Sequence, residues 1–215
     1  LTATNPETSP PMSNQLDQVA GEANVRFLSM SILGTRHLGL TNVEACTPAD
    51  LEDVDVRSPQ LELFTKMVEG LGATPTNLDV SELISSMSSG GVQGWENTVN
   101  TMESFGIGEV QNYVIETEHM RFPVPMYMNL DTWDGMSSAT QDVFTRAAND
   151  AAAWNASAIA DIEAEAKSKL QDGGMTFVTT DGCLDLEAFR NSCRETVDEA
   201  FPEWASIAKE IENLA

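Results

Sequence analysis

Apolar positions along the chain change period several times, and each change marks an element. Val25-Arg-Phe-Leu-Ser-Met30 is short and largely apolar, as a buried strand is. Thr47-Pro-Ala-Asp-Leu-Glu52 carries a helix-start signal, with threonine as N-cap and proline in the first turn. Val54-Asp-Val-Arg57 alternates residue by residue, and Ser58-Pro59 then suits a strand-to-helix turn capped by serine. Leu61, Phe64, Met67, Val68 and Leu71 recur at helical spacing and stop at Gly72. A strand is expected over 76–80. Ser81 then caps a short helix bearing Leu83, Ile84 and Met87, which ends at Gly90-Gly91. The segment 92–97 is expected to lead into another helix reaching about Phe105, followed by two strands over 110–117 and 123–130.

The second half is dominated by one long pattern. Ser138-Ala-Thr-Gln141 reads as a capping box, and a stripe of Val143, Phe144, Ala147, Ala151, Trp154, Ala158, Ile162 and Ala166 predicts a helix over 138–172. Its length would be roughly 50 Å, enough to brace two lobes. A strand over 175–180 and helices over 184–200 and 202–214 complete the pattern. A short helix is also expected over 14–21, behind a polar, proline-rich start that reads as a linker or truncated region. Alternating strands and helices predict an α/β fold with a parallel or mixed sheet. The expected organisation is 1–23 as linker, 24–121 as an α/β ligand-binding lobe, and 122–215 as the remaining strands, spanning helix and terminal helices.

Charge narrows the function classes. Thirty-four acidic residues face eleven basic ones, for a formal charge of −23. Such a field disfavours nucleic acid and anionic membrane surfaces. No apolar run approaches the roughly 18 residues a membrane helix needs, so no membrane insertion is expected. Any site for an acidic ligand must therefore be a local concentration of cations. The three cysteines, Cys46, Cys183 and Cys193, show no CxxC spacing, so neither metal nor redox chemistry is indicated. Cys183 and Cys193 flank a predicted helix start; they either bridge in an oxidising compartment or remain ordinary thiols.

Enzyme signatures are missing: no GxSxG, P-loop, HExxH or dinucleotide fingerprint occurs. His37 and His119 stand alone in sequence, so no catalytic group, metal or cofactor is expected. Arg57 is the residue of interest, because it ends a short strand and ligands in α/β sheets bind at strand carboxyl ends. Its rigid fork pairs with both oxygens of a carboxylate, although on the residues alone a surface salt bridge to a nearby acid is the better-favoured reading. Gly94-Trp95-Glu96-Asn97 is the second candidate: the indole offers a flat wall, and the amide both donates and accepts. A buried tryptophan at a helix start is the alternative.

Several of these segments together resemble a known family. Leu33-Gly-Thr-Arg-His37, Thr47 through Pro59, Leu71-Gly-Ala-Thr-Pro-Thr-Asn-Leu-Asp-Val-Ser-Glu-Leu83, Gly90-Gly-Val-Gln-Gly-Trp-Glu-Asn97 and Glu109 through His119 resemble, in order and spacing, the core of TRAP-transporter solute-binding proteins. The chain departs from the family pattern at Gln93, Thr98 and Glu52-Asp53. The resemblance implies a two-lobe periplasmic binding protein with a long lobe-spanning helix, the first lobe largely missing. It implies that Arg57 clamps a ligand carboxylate, that Arg36 is a second cationic contact and Asn97 an amide contact, that Trp95 forms a wall, and that Val80 and Ser81 line the pocket. It implies a small organic acid as ligand, TRAP membrane subunits as partners and a periplasmic location. A ligand-sensing receptor domain, or less favourably an enzyme on a similar scaffold, is the alternative.

Overall fold

The computed structural model describes Leu16 and residues 18–212. Six strands among these residues form one sheet: β1 (Val25–Leu40), β2 (Asp55–Ser58), β3 (Thr74–Asn77), β4 (Gly94–Thr98), β5 (Tyr113–Asn129) and β6 (Thr176–Val178), in the order β3-β2-β4-β1-β5-β6. β2 runs parallel to β3 and β4, and β5 runs parallel to β6, whereas β1 is antiparallel to β4. Around the sheet lie helices α1 (18–22), α2 (Glu62–Gly70), α3 (Leu83–Ser89), α4 (Val99–Ser104), α5 (Leu130–Asp134), α6 (Ser138–Asp172), α7 (Leu186–Ala200) and α8 (Ala205–Glu212). The mixed α/β class expected from the alternating pattern is the one observed. The start of the expected helix over 14–21 and the end of that over 202–214 lie outside the described residues.

Residues 34–121 and 161–202 form one compact unit, built around two apolar clusters. Strand alternation sends successive side chains to opposite faces, so a two-sided sheet needs two covers. Leu38, Leu40, Val56 and Ile115 pack under Met67, Val68 and Leu71 from α2 and its end and under Phe189 and Cys193 of α7. α2 and α7 approach so closely at Gly70 that a Cβ there would lie 2.7 Å from the Cys193 Cα, which only glycine permits. The second cluster joins Leu83 and Met87 of α3, Trp95, Met102 of α4, Val114, and Ala166 and Leu170 of α6.

The other compact unit combines the described residues before 34 with 122–160 and 203–212, so neither unit is a continuous stretch of chain. Within it, Ile32 N donates to Asn155 Oδ1 of α6 at 2.8 Å. Buried Trp133 of α5 lies under the Arg26 guanidinium at 5.4 Å, and Phe27 meets Tyr127 edge-on at 5.8 Å.

Four local expectations need correction. β1 runs ten residues past the predicted strand, because its last five residues pair with β4 and the charge of Arg36 among them meets Glu96. Residues 94–98, expected as a helix entry, are a strand held between β1 and β2, so pairing on both sides overrides the poor β preference of Glu96 and Asn97. The strands expected over 110–117 and 123–130 are one strand, β5, with Glu118 at φ 45 inside it. The bridging cysteine partner also differs. Cys46 pairs with Cys183, 137 positions apart, and Cys193 stays reduced inside the α2–α7 contact, where burial pushes its thiol up to about 12. Asp185 N donates to Cys46 O beside the bridge, so a backbone contact already brings these loops together.

Candidate functional site

β2 places Arg57 beside Trp95 of β4 and Thr76 of β3. The Arg57 side chain is almost wholly buried, at 9% exposure, and its Nε donates to Leu78 O at 2.8 Å. Leu78 is held in position by the turn that follows it. Asp79 caps the 3-10 helix Val80–Glu82 by accepting from Ser81 N at 2.8 Å and Ser81 Oγ at 2.6 Å. Among the described residues no carboxylate lies at ion-pair distance from Arg57, and both of its Nη groups lack a hydrogen-bond partner. Burial lowers its pKa, and the more distant charges of Glu96 and Asp79 oppose that shift. A desolvated cation without a counter-ion carries an unfavourable solvation cost that an arriving anion relieves.

Arg36 behaves differently. Its Nε and Nη2 grip Glu96 Oε2 and Oε1 at 2.5 and 2.7 Å, its Nη2 also reaches Glu96 O at 2.8 Å, and its Nη1 donates to Asn97 Oδ1 at 3.1 Å. The guanidinium lies 5.1 Å above the Phe64 ring. His119 Nε2 donates to the same Glu96 carboxylate at 3.3 Å, and its Nδ1 lies 2.8 Å from Thr117 Oγ1. Burial alone would raise the Glu96 carboxyl, but the hydrogen bonds from His119 and Arg36 outweigh it and hold the group below the usual carboxylate range. Glu96 is ionised, and it cancels one positive charge.

Of the six residues singled out by sequence, Arg36 and Asn97 are hydrogen-bonded to each other, and Arg57 lies near enough to feel Glu96 and Arg36. Val80 and Ser81 sit on the exposed turn whose preceding residue holds Arg57 Nε. Trp95 does not form a wall. It is fully buried with Leu83, Met87 and Met102, its ring 5.5 Å from Phe105, because β-alternation turns it into the second core cluster. Sequence reasoning overlooked Glu96 and His119. The signal was present in Glu96 itself, an acid flanked by two candidate ligand residues.

A cavity of about 210 Å³ opens elsewhere in this unit, lined by Thr35, His37 and Val99 and by Glu116, Glu163 and Lys167 of β5 and α6. Its carboxylates outnumber its single lysine, and that lysine is paired to Glu116 at 2.5 Å. Burial raises the Glu163 carboxyl despite the hydrogen bond from Thr35 N. Such a cavity repels an organic anion, so the Arg57 region is the better candidate.

Comparisons with known proteins identify the family of the chain. The chain matches the family model described as bacterial extracellular solute-binding protein, family 7 (DctP), over residues 7–203. A solute-binding protein of Roseobacter denitrificans is 31% identical over 182 residues, which are 85% of this chain and 56% of that protein. One of Chromohalobacter salexigens is 28% identical over 195 residues, 89% of this chain and 57% of that protein. The chain thus spans a little over half the length of these relatives. Among solved structures, a TRAP periplasmic solute-binding protein of Roseobacter denitrificans with bound L-galactonate superposes with a TM-score of 0.82 at 29% identity, covering 93% of this chain and 66% of that one. Another from the same species, with bound 3-deoxy-D-manno-oct-2-ulosonic acid, gives 0.88 at 28% identity, covering 98% and 70%.

Proposed function

The chain belongs to the bacterial extracellular solute-binding protein family 7, and from that premise we propose that it captures a small organic acid by pairing the ligand carboxylate with Arg57. The observation that carries this reading is the Arg57 guanidinium, buried and without a carboxylate partner among the described residues. A carboxylate arriving there gains charge-assisted hydrogen bonds from a donor already held in place by Leu78 O, so little orientational freedom is lost. Asn97, hydrogen-bonded to Arg36, is read as a further, amide contact to the ligand. The sugar acids bound by the two superposed proteins, L-galactonate and 3-deoxy-D-manno-oct-2-ulosonic acid, indicate the ligand size and class to try first. Binding, not catalysis, is the family's business, and the captured acid is handed to TRAP membrane subunits from the periplasm. The Cys46–Cys183 bridge suits that oxidising compartment, and no helix among the described residues is long and apolar enough to cross a membrane.

The test is calorimetric titration of the full-length protein with a panel of sugar acids and simpler carboxylates, parent against Arg57→Ala and Arg57→Lys. The alanine variant is expected to lose about 2–5 kcal/mol of binding free energy, because the carboxylate is left buried and unpaired. Lysine restores the charge but not the fork, so partial recovery is expected. An Arg57→Ala protein that binds as tightly as the parent removes Arg57 from the site.

A further inference from the structure

The cavity beside α6 repels an anion for the same reason that it suits a cation. Strand alternation turns His37 to the face of β1 opposite Arg36, and Arg36, Arg57 and Asn97 take no part in the lining. Every lining residue falls within 34–121 or 161–202, so the cavity is built by one compact unit alone. Its volume of about 210 Å³ is that of about seven waters and lies below the roughly 300–1,000 Å³ of pockets for drug-sized ligands. The occupant that fits is small.

The polar groups of this wall mostly accept. His37 is 7% exposed, and among the described residues its Nδ1 has no hydrogen-bond partner. Burial, with repulsion from His119 and Lys167, keeps the imidazole neutral with a pKa of about 3. A neutral imidazole retains one bare nitrogen that only accepts. Leaving a buried polar atom unpaired is costly, and a donor that reaches it recovers that cost. Glu163 Oε1 accepts from Thr35 N at 2.8 Å. Burial nevertheless raises the pKa of this carboxyl, against the Thr35 hydrogen bond and the charge of Arg121, so a cation beside it would stabilise its ionised form. Lys167 is committed elsewhere, to Glu116 at 2.5 Å and to the Phe177 ring at 5.0 Å. Glu118, half exposed, faces Arg190 at 3.6 Å.

The remaining wall is apolar, made by buried Val99 and by Ala164. Among the described residues no group of three His, Cys, Asp or Glu side chains is placed to hold a metal ion, so the cation that fits is organic. We propose that this cavity is a second binding site, separate from the Arg57 region, for a small primary ammonium. Its N–H groups meet the Glu163 carboxylate and the bare His37 nitrogen, and its short carbon chain lies against Val99 and Ala164.

The experiment is calorimetric titration of the full-length protein with ethylammonium, ethanolammonium and putrescine, against tetramethylammonium and sodium chloride at equal ionic strength. Tetramethylammonium carries the charge but no N–H. At least one primary ammonium is expected to bind about tenfold more tightly than it does, the worth of one charge-assisted hydrogen bond. Binding no tighter than that of tetramethylammonium, or none at all, overturns the site. Glu163→Gln is expected to weaken the best probe about tenfold, and His37→Phe, which keeps a ring and removes the accepting nitrogen, by a smaller factor. Ala164→Leu, at an exposed helix position, keeps every polar group and narrows the cavity; it is expected to abolish binding, and it carries the test where either of the other variants unfolds. Folded variants that bind the best probe as tightly as the parent sink the proposal.

Discussion

The 35 residues of α6 make the same kind of helix throughout, yet its two ends meet different surroundings. In the unit containing residues 161–202, Ala166 and Leu170 are buried against Met102, Ile107 and Val114. In the unit containing residues 122–160, Val143, Phe144 and Trp154 of the same apolar stripe stand 53%, 40% and 65% exposed. Helical periodicity thus specifies a face without specifying what covers it. The alanine-rich sequence supports the helix locally at both ends, and the end within residues 161–202 carries its stripe into an apolar cluster whereas the other leaves most of it exposed.

That contrast can be attacked experimentally. The strongest lever is the Cys46–Cys183 bridge, which joins two cysteines of the well-packed unit across 137 positions. Its removal as Cys46→Ser/Cys183→Ser is expected to cost about 2–5 kcal/mol. Hydrogen exchange should show the loss at amides of β1 after Gly34, β2 and α7. Equal loss at amides of residues 122–160 would mean that the two units do not open independently. Next, Leu170→Ala is expected to cost about 2–4 kcal/mol by leaving a cavity in the second cluster. Trp154→Ser, on the same helix, should stay within about 0.5 kcal/mol, as exposed substitutions do. Comparable costs in urea unfolding would erase the distinction between the two ends.

A different lever is pH. His37 lines the cavity next to α6, and burial, with repulsion from His119 and Lys167, lowers its pKa to about 3. The unfolded chain takes up that proton near the ordinary value of 6.5, well before the folded chain does. Its contribution to stability is therefore complete above pH 6.5 and is lost as pH falls toward 3, at up to about 1.4 kcal/mol per pH unit. Urea midpoints at pH 7.5, 6.0 and 5.0 should fall less steeply for His37→Gln than for the parent. Identical slopes would show that His37 is accessible to protons in the folded protein.

What could be read from residues alone were features that neighbours in sequence decide. The bounds of α6 coincide with the predicted 138–172, although Ser137, not Ser138, offers its hydroxyl to the first turn; such start and stop signals act within one turn. α2 was legible from its apolar spacing, although Leu61 and not the expected Ser58 is its N-cap, and α3 stops at Gly90, which adopts the left-handed conformation. The motif segments named Arg36, Arg57 and Asn97 before any geometry was known.

The tertiary structure alone decided the rest, because long-range pairing outweighs local preference. Strand β4 carries Glu96 and Asn97, poor strand formers, and is a strand only because β1 and β2 flank it. Trp95 belongs to the core because its strand register turns it there. Cys46 finds Cys183 across most of the chain, while the nearer Cys193 is committed to the α2–α7 contact. Arg36 is neutral in effect because Glu96, sixty positions later, lies at hydrogen-bond distance, whereas among the described residues no acid lies at ion-pair distance from Arg57. Both residues are arginines on strands; the electrostatic difference between them exists only once the sheet has assembled.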